Sequence, residues 1–235
     1  LHSAAMHQHL TEQVALAGKK LTTNVAYYGP SGYTTVYFQG RRRYDRGVDY
    51  AGALFKAPFL KALPPDFHIN VYGAEKNDGA LAAHPNITLH RRVDPEAMPQ
   101  LLRGSYGLVW DSEDYPAVTG PLGEYEKYNT PAKFPTYLAA DEPVIVWSQA
   151  ATAPFVQANQ IGLVLDSMAD LPAQLAEITV DRYNAMLDNV LRISPLIRDG
   201  FFLKKAIFNV LSMLYDHYAA TTEPIPLNGG AANHD

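Results

Sequence analysis

Asn129, Pro131 and Lys133 form the spacing in this sequence that most directly suggests chemistry. The order Asn-Thr-Pro is typical of a helix start, because a small polar side chain can cap free backbone amides and proline fits the first turn. A helix start favours an anion, and Lys133, about one turn later, would add a full positive charge. The simplest ligand for this arrangement is a phosphate or a diphosphate. The competing interpretation is that Asn129 is only a structural cap and Lys133 a solvated side chain.

The segments around this motif alternate between strand and helix patterns. Gly120 to Tyr128 reads as a polar loop, Asn129 to Ala140 as a helix and Pro143 to Trp147 as a buried strand. Other short apolar runs predict strands at 48–52, 68–72, 87–89, 106–110 and 162–165, with helices at 56–62, 95–103, 154–159, 171–178, 179–197 and 201–218. This alternation predicts an α/β fold, a Rossmann-like doubly wound parallel sheet.

Parallel sheets bind ligands at the carboxyl ends of their strands, so residues that end predicted strands become site candidates. These residues are Gly52, Gly73, Asp111 and Trp147. Glycine at two of the four positions permits close backbone approach. Lys56 lies just beyond the first strand, so we expect Lys56 and Lys133 at one edge of the sheet, where they could clamp a diphosphate.

An acidic cluster flanks the predicted ligand loop and consists of Asp111, Glu113, Asp114, Glu124 and Glu126. It is either a solvated surface or a source of acceptors for sugar hydroxyls or a base. A basic run, Arg41, Arg42, Arg43 and Arg46, leaves a similar choice between a solvated loop and a contact to a phosphate or an acidic surface.

The chain of 235 residues has room for one large or two small domains. We predict a helix (3–16) and a strand (22–28) within residues 1–28, followed by a linker at 29–47. The main domain is predicted at 48–200, a closing helix at 201–220 and a disordered tail at 221–235. The first residue is Leu, in what reads as the end of a strand, so we expect that an amino-terminal portion is missing.

Composition and absent motifs exclude several classes. The net charge of -5 argues against broad nucleic-acid binding, and without cysteine there are no disulfides or thiolate metal sites. No apolar run of about 18 residues predicts a membrane span, and no signal peptide is visible, so we expect a cytoplasmic protein. The P-loop, GxGxxG, HExxH and GxSxG patterns are absent, and the sequence gives no reason to assign a metal.

The order of the motifs resembles a known family. The segments VDYAGALFKAPFLKALP, INVYG, GSYGLVWD, GEYEKYNTPAKFPTYLAADEPVIVW and IGLVL are similar to the carboxyl-terminal domain of the glucosyltransferase-3-like bacterial glycosyltransferases, which include galactofuranosyltransferases. The resemblance covers roughly residues 48–218, and its most specific part is the YN-x-P-x-K helix start with the strand that follows. It implies a GT-B type carboxyl-terminal domain, with residues 1–28 as part of an amino-terminal domain.

The resemblance also implies a donor site for a UDP-sugar. Besides Gly52, the implied substrate-binding residues are Lys56 near the diphosphate, Tyr128, Asn129 and Lys133 around the nucleotide, and Tyr72 and Gly73 near the base. The family usually carries Asn-Pro-His or a similar triplet where this chain has Thr130, Pro131 and Ala132. The side-chain contacts of that triplet are therefore not carried over.

The implied activity is transfer of a glucosyl or galactofuranosyl group from a UDP-sugar to a glycan or glycoprotein acceptor. No cofactor and no metal are expected, because lysines and helix amides can carry the charge of the leaving diphosphate. If most of the amino-terminal domain is missing, the acceptor site and any catalytic base are missing with it. A GT-B-like UDP-sugar epimerase and a non-catalytic partner subunit stay open as alternatives, as does a homo-oligomer.

Overall fold

A parallel β-sheet organises the chain. The computed structural model describes residues 1–65, 67–74 and 79–221. The strands are β1 (Val48–Ala51), β2 (Ile69–Ala74), β3 (Ile87–Arg91), β4 (Tyr106–Val109), β5 (Val144–Trp147) and β6 (Gly162–Leu165). They form one six-stranded sheet in the order β3-β2-β1-β4-β5-β6, and every neighbouring pair is parallel. The predicted doubly wound α/β fold is confirmed.

The central strands are apolar apart from Asp49 of β1, because both faces of the sheet are covered. All residues of β1, β4 and β5 are buried. Successive side chains enter two core clusters, with Tyr50 and Leu108 in one, and Ala51 and Val109 in the other. Strands that are covered on both faces require this continuous apolar pattern.

Helices connect the strands. They are α1 (Ala4–Leu16), α2 (Gly79–Ala82), α3 (Met98–Leu101), α4 (Gly120–Tyr125), α5 (Lys133–Ala139), α6 (Ala153–Asn159), α7 (Leu171–Glu177), α8 (Val180–Arg198) and α9 (Phe201–Thr221), with 3-10 helices at Leu54–Lys56, Pro58–Ala62, Pro95–Ala97 and Met168–Asp170. The packing of α5 on β4 depends on Gly107, where a Cβ would lie only 2.0 Å from the Tyr137 ring. The segment 56–62, predicted as one helix, instead belongs to the two 3-10 helices Leu54–Lys56 and Pro58–Ala62.

The strand order reverses between β1 and β4. From β1 the chain winds outward through β2 to β3, then returns to β4 and winds the other way. Connections on the two sides of such a reversal leave toward opposite faces, which opens a crevice at the carboxyl ends of the strands. Gly52, directly after β1, and Asp111, two residues beyond β4, lie at this edge.

Two segments differ from their predicted structure. Thr22 to Tyr28 forms no strand. The end of this segment makes backbone hydrogen bonds to the first residues of the chain, and the Tyr28 N–H donates to the Leu1 carbonyl oxygen at 3.1 Å. The segment 120–128, predicted as a loop, contains α4. Proline at the second position of α4 suits a first helical turn, and this signal outweighs the two glycines.

The start of α5 was also predicted wrongly. The helix begins at Lys133 and not at Asn129, and its N-cap, Ala132, makes no side-chain capping bond. The Asn129 N–H instead donates to the Tyr125 carbonyl oxygen at 3.0 Å, so Asn129 closes the turn that ends α4. An N-capping role for the Asn129 side chain is therefore wrong.

The predicted first helix is confirmed, with Ser3 as its cap. The Ser3 hydroxyl oxygen accepts from the Met6 N–H at 3.0 Å and donates its own proton to the Tyr128 carbonyl oxygen at 2.7 Å. The second bond joins the start of α1 to the segment between α4 and α5. Residue 128, a predicted ligand contact, is thereby tied to the amino-terminal helix.

The last helix, α9, is longer than predicted and exposes much of its apolar surface. Exposed large side chains along it include Phe201, Leu203, Ile207, Phe208, Leu211 and Leu214. None of the helices in the described ranges is long and apolar enough to cross a membrane. Of the predicted disordered tail, only Thr221 falls within the described residues, as the last residue of α9.

The segment 29–47, predicted as a linker, is anchored on the sheet domain by Arg42. This guanidinium is buried and donates to the carbonyl oxygens of Leu102, Gly104 and Ala140 at 2.9–3.3 Å. Its Nη2 also lies 3.8 Å from the Glu142 carboxylate. The interpretation of the basic run as a solvated loop is wrong for this residue.

We expect Arg42→Ala to lower the free energy of unfolding by about 3 kcal/mol or more, because it leaves buried carbonyl oxygens without their donor and the buried Glu142 carboxyl group without a nearby positive charge. Arg41→Ala is the matched control. It removes only an exposed pair with Asp188, so it should cost less than about 1 kcal/mol. Urea unfolding of both variants measures the difference, and equal losses would contradict the anchoring role.

Candidate functional site

Two glycines bring the carboxyl ends of β1 and β2 together. The Gly52 N–H donates to the Tyr72 carbonyl oxygen at 3.3 Å, and a Cβ on Gly73 would lie 2.7 Å from the Gly52 carbonyl oxygen. Gly73 has a φ of +111°, which other residues rarely adopt. Because β2 continues to Ala74, Gly73 lies at a register shift inside the strand, and the predicted strand end at Tyr72 is wrong.

Lys133 lies against the carboxyl end of β1. Its Nζ is 5.0 Å from the centroid of the Tyr50 ring, and its Cδ would be 3.3 Å from a Cβ on Gly52. The residue is only 7% exposed, so the interpretation of Lys133 as a solvated side chain is wrong. Its proximity to Gly52 places the ammonium group at the carboxyl ends of the strands, where the crevice lies.

Asp111 is the partner of Lys133. The Lys133 Nζ donates to Asp111 Oδ1 in a short hydrogen bond, and each side chain is 8% exposed. The Tyr50 hydroxyl donates to the same oxygen at 3.3 Å. A buried pair of this kind resists separation, because removing either partner leaves an uncompensated charge. The pair thus fixes the start of α5 to the ends of β1 and β4.

Glu126 holds Asp111 from the other side. Its Oε1 accepts the Asp111 N–H at 2.7 Å, and the residue is 2% exposed. Burial raises the pKa of Glu126 to about 8, and the charge of Asp111 acts in the same direction. The charge of Lys133 and the hydrogen bond from the Asp111 N–H oppose the shift. Its Oε2 is buried and has no hydrogen-bond partner among the described residues. Burial and the unpartnered Oε2 both favour the protonated form of this carboxyl group.

Lys56 lies on the same edge as Lys133, as predicted. It ends the 3-10 helix Leu54–Lys56, and its carbonyl oxygen accepts the Ser112 N–H at 3.2 Å, directly beside Asp111. Its Nζ is 5.9 Å from the ring centroid of Phe55, which is 74% exposed. The two lysines differ in state, because Lys133 is buried and paired while Lys56 is half-buried.

Tyr128 and Asn129 lie in the segment between α4 and α5. The Tyr128 ring stacks on His9 of α1 with ring centroids 4.4 Å apart. Asn129 is half-buried and lies four residues before Lys133 in the chain. A nucleotide contact by Tyr128 would have to use the ring face or edge that His9 leaves open.

Tyr72 is turned away from the ligand edge. The residue is 2% exposed, its hydroxyl donates to the Leu101 carbonyl oxygen at 3.0 Å and its ring stacks on His90 with centroids 4.4 Å apart. A ligand contact by this side chain, as implied by the resemblance, does not agree with its position. Only its carbonyl oxygen, bonded to Gly52, lies at the edge.

Sequence reasoning missed Tyr50 and the arrangement of the acidic cluster. Tyr50 reads as an ordinary core residue of a strand, so no signal could have identified it. Asp111 and Glu126 are buried, whereas Glu113, Asp114 and Glu124 are exposed. The pairing of Asp111 with Lys133 was within reach, since opposite charges were both expected at one sheet edge. In the described part of the chain, no three His, Asp or Glu residues are grouped as a metal site.

The raised pKa of Glu126 predicts a pH-dependent stability. The folded state holds this proton more tightly than the unfolded chain, where the pKa is near 4.5. The free energy of unfolding therefore falls between pH 4.5 and 8, by up to about 1.4 kcal/mol per pH unit for this one group. Glu126→Gln removes the effect, so urea unfolding should show the variant gaining on the wild type across that window.

Glu124→Gln, at an exposed position two residues away, is the control and should follow the wild type at every pH. If the unfolding free energies of Glu126→Gln and the wild type run parallel from pH 5 to 8, then Glu126 is not protonated in the folded protein.

Comparison with known proteins agrees with this architecture. The family model for the glucosyltransferase 3-like, C-terminal domain matches residues 48–210. The chain is 30% identical over 172 residues to the beta-1,6-galactofuranosyltransferase WbbI of Escherichia coli (strain K12), which covers 72% of this chain and 51% of that protein. It is 36% identical over 117 residues to glucosyltransferase 3 of Streptococcus gordonii, covering 50% of this chain and 34% of that protein. The chain thus spans about half, or less, of the length of the curated relatives it matches.

Among solved structures, the pneumococcal O-GlcNAc transferase GtfA in complex with UDP and GlcNAc is similar with a TM-score of 0.50 at 15% identity. The match covers 89% of this chain and 44% of that one. At this identity the likeness concerns the fold alone, a parallel sheet with flanking helices of the GT-B type. The family match covers more than half of the chain and includes all six strands and the Lys133–Asp111 pair. The chain therefore belongs to the glucosyltransferase 3-like family, whose C-terminal domain it contains.

Proposed function

We propose that this chain is the donor-binding part of a glycosyltransferase that moves a hexosyl group, glucosyl or galactofuranosyl, from a UDP-sugar to a glycan or glycoprotein acceptor. The observation that carries the proposal is the position of Lys133 and Gly52. Both lie at the carboxyl edge of the sheet, inside the region that matches the family model. The relatives named above are hexosyltransferases, which favours transfer over epimerisation or a non-catalytic role.

The chemistry of the edge suits a nucleoside diphosphate. In glycosyl transfer from a UDP-sugar, the bond between the sugar and the β-phosphate breaks and UDP leaves with additional negative charge. Cationic side chains that are placed at the leaving group stabilise this charge as it develops. Lys133 and Lys56 are two cations at this edge, and the absence of a side chain at Gly52 leaves the backbone open to close approach.

Further parts of the proposal follow from the same edge. The donor is a UDP-sugar and no metal is required, because lysines take the role that a divalent cation would otherwise have. Five of the predicted binding residues keep their proposed roles: Gly52, Lys56, Gly73, Asn129 and Lys133. Tyr128 would contact the ligand through the part of its ring that His9 leaves open, and Tyr72 would contact it only through its backbone. We place the reaction in the cytoplasm, without nucleic acid as a partner, and a homo-oligomer stays a prediction.

Lys133 provides the first test, with UDP binding measured by isothermal titration calorimetry. We expect the wild type to bind UDP saturably and Lys133→Met to bind it about 10- to 150-fold more weakly, because a charge-assisted contact of about 1.5–3 kcal/mol is lost. Methionine keeps an apolar stem over Tyr50. Since the substitution leaves Asp111 unpaired, the same comparison is made between Asp111→Asn and the double variant Asp111→Asn/Lys133→Met.

Lys205→Ala, on the exposed surface of α9, is the matched control and should leave the affinity unchanged. The absence of saturable UDP binding by the wild type would remove the proposed function. Equal affinities of the wild type and Lys133→Met, in both backgrounds, would show that the diphosphate does not lie at Lys133.

Lys56 provides a second test. Lys56→Ala should weaken UDP binding several-fold, with a smaller effect in high salt, because a half-buried cation at the edge attracts the diphosphate through a partly screened field. Lys61→Ala removes an exposed cation from the neighbouring 3-10 helix and should have little effect. If the two variants lose equal affinity, then Lys56 contributes only to the general field of the domain.

A further inference from the structure

We propose that Glu126 is a positioning residue for donor binding, whose protonated carboxyl group holds the backbone of Asp111 and keeps the buried cluster around Lys133 free of net negative charge. The inference rests on the proposed function, since it concerns the same edge of the sheet. It adds a residue that touches neither the expected diphosphate nor Lys133 directly, and it gives the site a defined dependence on pH.

The geometry places Glu126 one bond behind the pair. Its Oε1 accepts the Asp111 N–H at 2.7 Å, and Asp111 Oδ1 in turn accepts from Lys133 and, at 3.3 Å, from Tyr50. The Glu126 backbone is itself held, because its carbonyl oxygen accepts the Ala151 N–H at 2.9 Å. A change at Glu126 therefore reaches the Lys133 ammonium through Asp111.

The orphaned oxygen indicates which protonation state this arrangement favours. Glu126 Oε2 is buried without a hydrogen-bond partner among the described residues. An ionised carboxylate would leave a charged acceptor unsatisfied there, which is far more costly than burying a neutral carboxyl group. The raised pKa of Glu126, caused first by burial and then by the charge of Asp111, agrees with this.

The titratable groups that face Glu126 come from three other elements. They are Lys133 at the start of α5, Asp111 after β4 and the neutral Tyr50 hydroxyl of β1, the pKa of which burial raises far above its ordinary value. Of its charged neighbours in sequence, Glu124 and Lys127 pair with each other at the surface. With Glu126 protonated, Lys133 and Asp111 cancel and the cluster is neutral.

Ionising Glu126 would give the cluster one net negative charge beside the expected position of a diphosphate. Charges that lie close together in a buried site interact strongly, so the donor and the Glu126 carboxylate compete. The donor then binds preferentially to the protonated form. As pH rises above about 8, the affinity for UDP should fall toward a limit of tenfold per pH unit, and binding should be accompanied by proton uptake.

The test is calorimetric titration of UDP into the wild-type chain, Glu126→Gln and Glu124→Gln between pH 7 and 9, in buffers of different ionisation enthalpy. UDP is suitable because its terminal phosphate, with a pKa of about 6, is ionised throughout this range. Glutamine keeps an oxygen to accept the Asp111 N–H but cannot ionise. We expect the wild type and Glu124→Gln to lose several-fold more affinity than Glu126→Gln between pH 7.5 and 9, and to take up close to one proton per UDP near pH 9.

The outcomes separate the two proposals. If the wild type binds no UDP at any pH, the proposed function fails and the role of Glu126 fails with it. If the wild type binds UDP and Lys133→Met weakens binding, but Glu126→Gln shows the same pH profile as the wild type, only the role of Glu126 is overturned. If Glu126→Gln does not fold, the proton count of the wild type decides, and a value near zero at pH 8 to 9 overturns the inference.

Discussion

The buried pair of Lys133 and Asp111 is the interaction on which the candidate site depends. It joins three elements that are distant in sequence: Tyr50 of β1, the residue that follows β4 and the start of α5. The pair costs desolvation of two charges, and this cost is met only where the partners and their hydrogen bonds are held in place. Glu126 and Tyr50 supply that support. The site is consequently a small buried cluster of charged and polar side chains at the carboxyl edge of the sheet.

The topology explains why this cluster lies at the edge where a ligand can reach the sheet. All six strands point the same way, and the order reverses between β1 and β4. The residues that leave these two strands therefore face one crevice. At the opposite edge, Asp49 accepts the N–H groups of Arg103 and Gly104 at 2.6 and 2.8 Å, and buried Arg42 spans the carbonyl groups nearby. Polar groups at the amino edge thus secure the chain, while those at the carboxyl edge form the candidate site for a ligand.

The sheet could be predicted from the sequence because its strands are short, apolar and punctuated. The boundaries of Gly162–Leu165 agree with the prediction, and both long helices near the end differ by at most a few residues. Local patterns failed where the same residue type serves two purposes. Asn129 could cap a helix or close a turn, and the hydrogen bond from its backbone N–H to the Tyr125 carbonyl oxygen shows that it closes a turn. Thr22 to Tyr28 has strand composition, but no strand among the described residues pairs with it, so composition alone could not settle its structure.

The site was only partly predictable for a related reason. The location of Lys56 and Lys133 at one edge followed from the strand pattern, but the burial of Lys133 depends on the tertiary positions of Asp111 and Tyr50. A crystal structure of the chain with UDP would test the central claim most directly. The account predicts the two phosphates at the carboxyl edge between Gly52 and Lys133, with a phosphate oxygen within hydrogen-bond distance of the Lys133 Nζ. Phosphates bound elsewhere, with the Lys133–Asp111 pair undisturbed and out of reach, would contradict it.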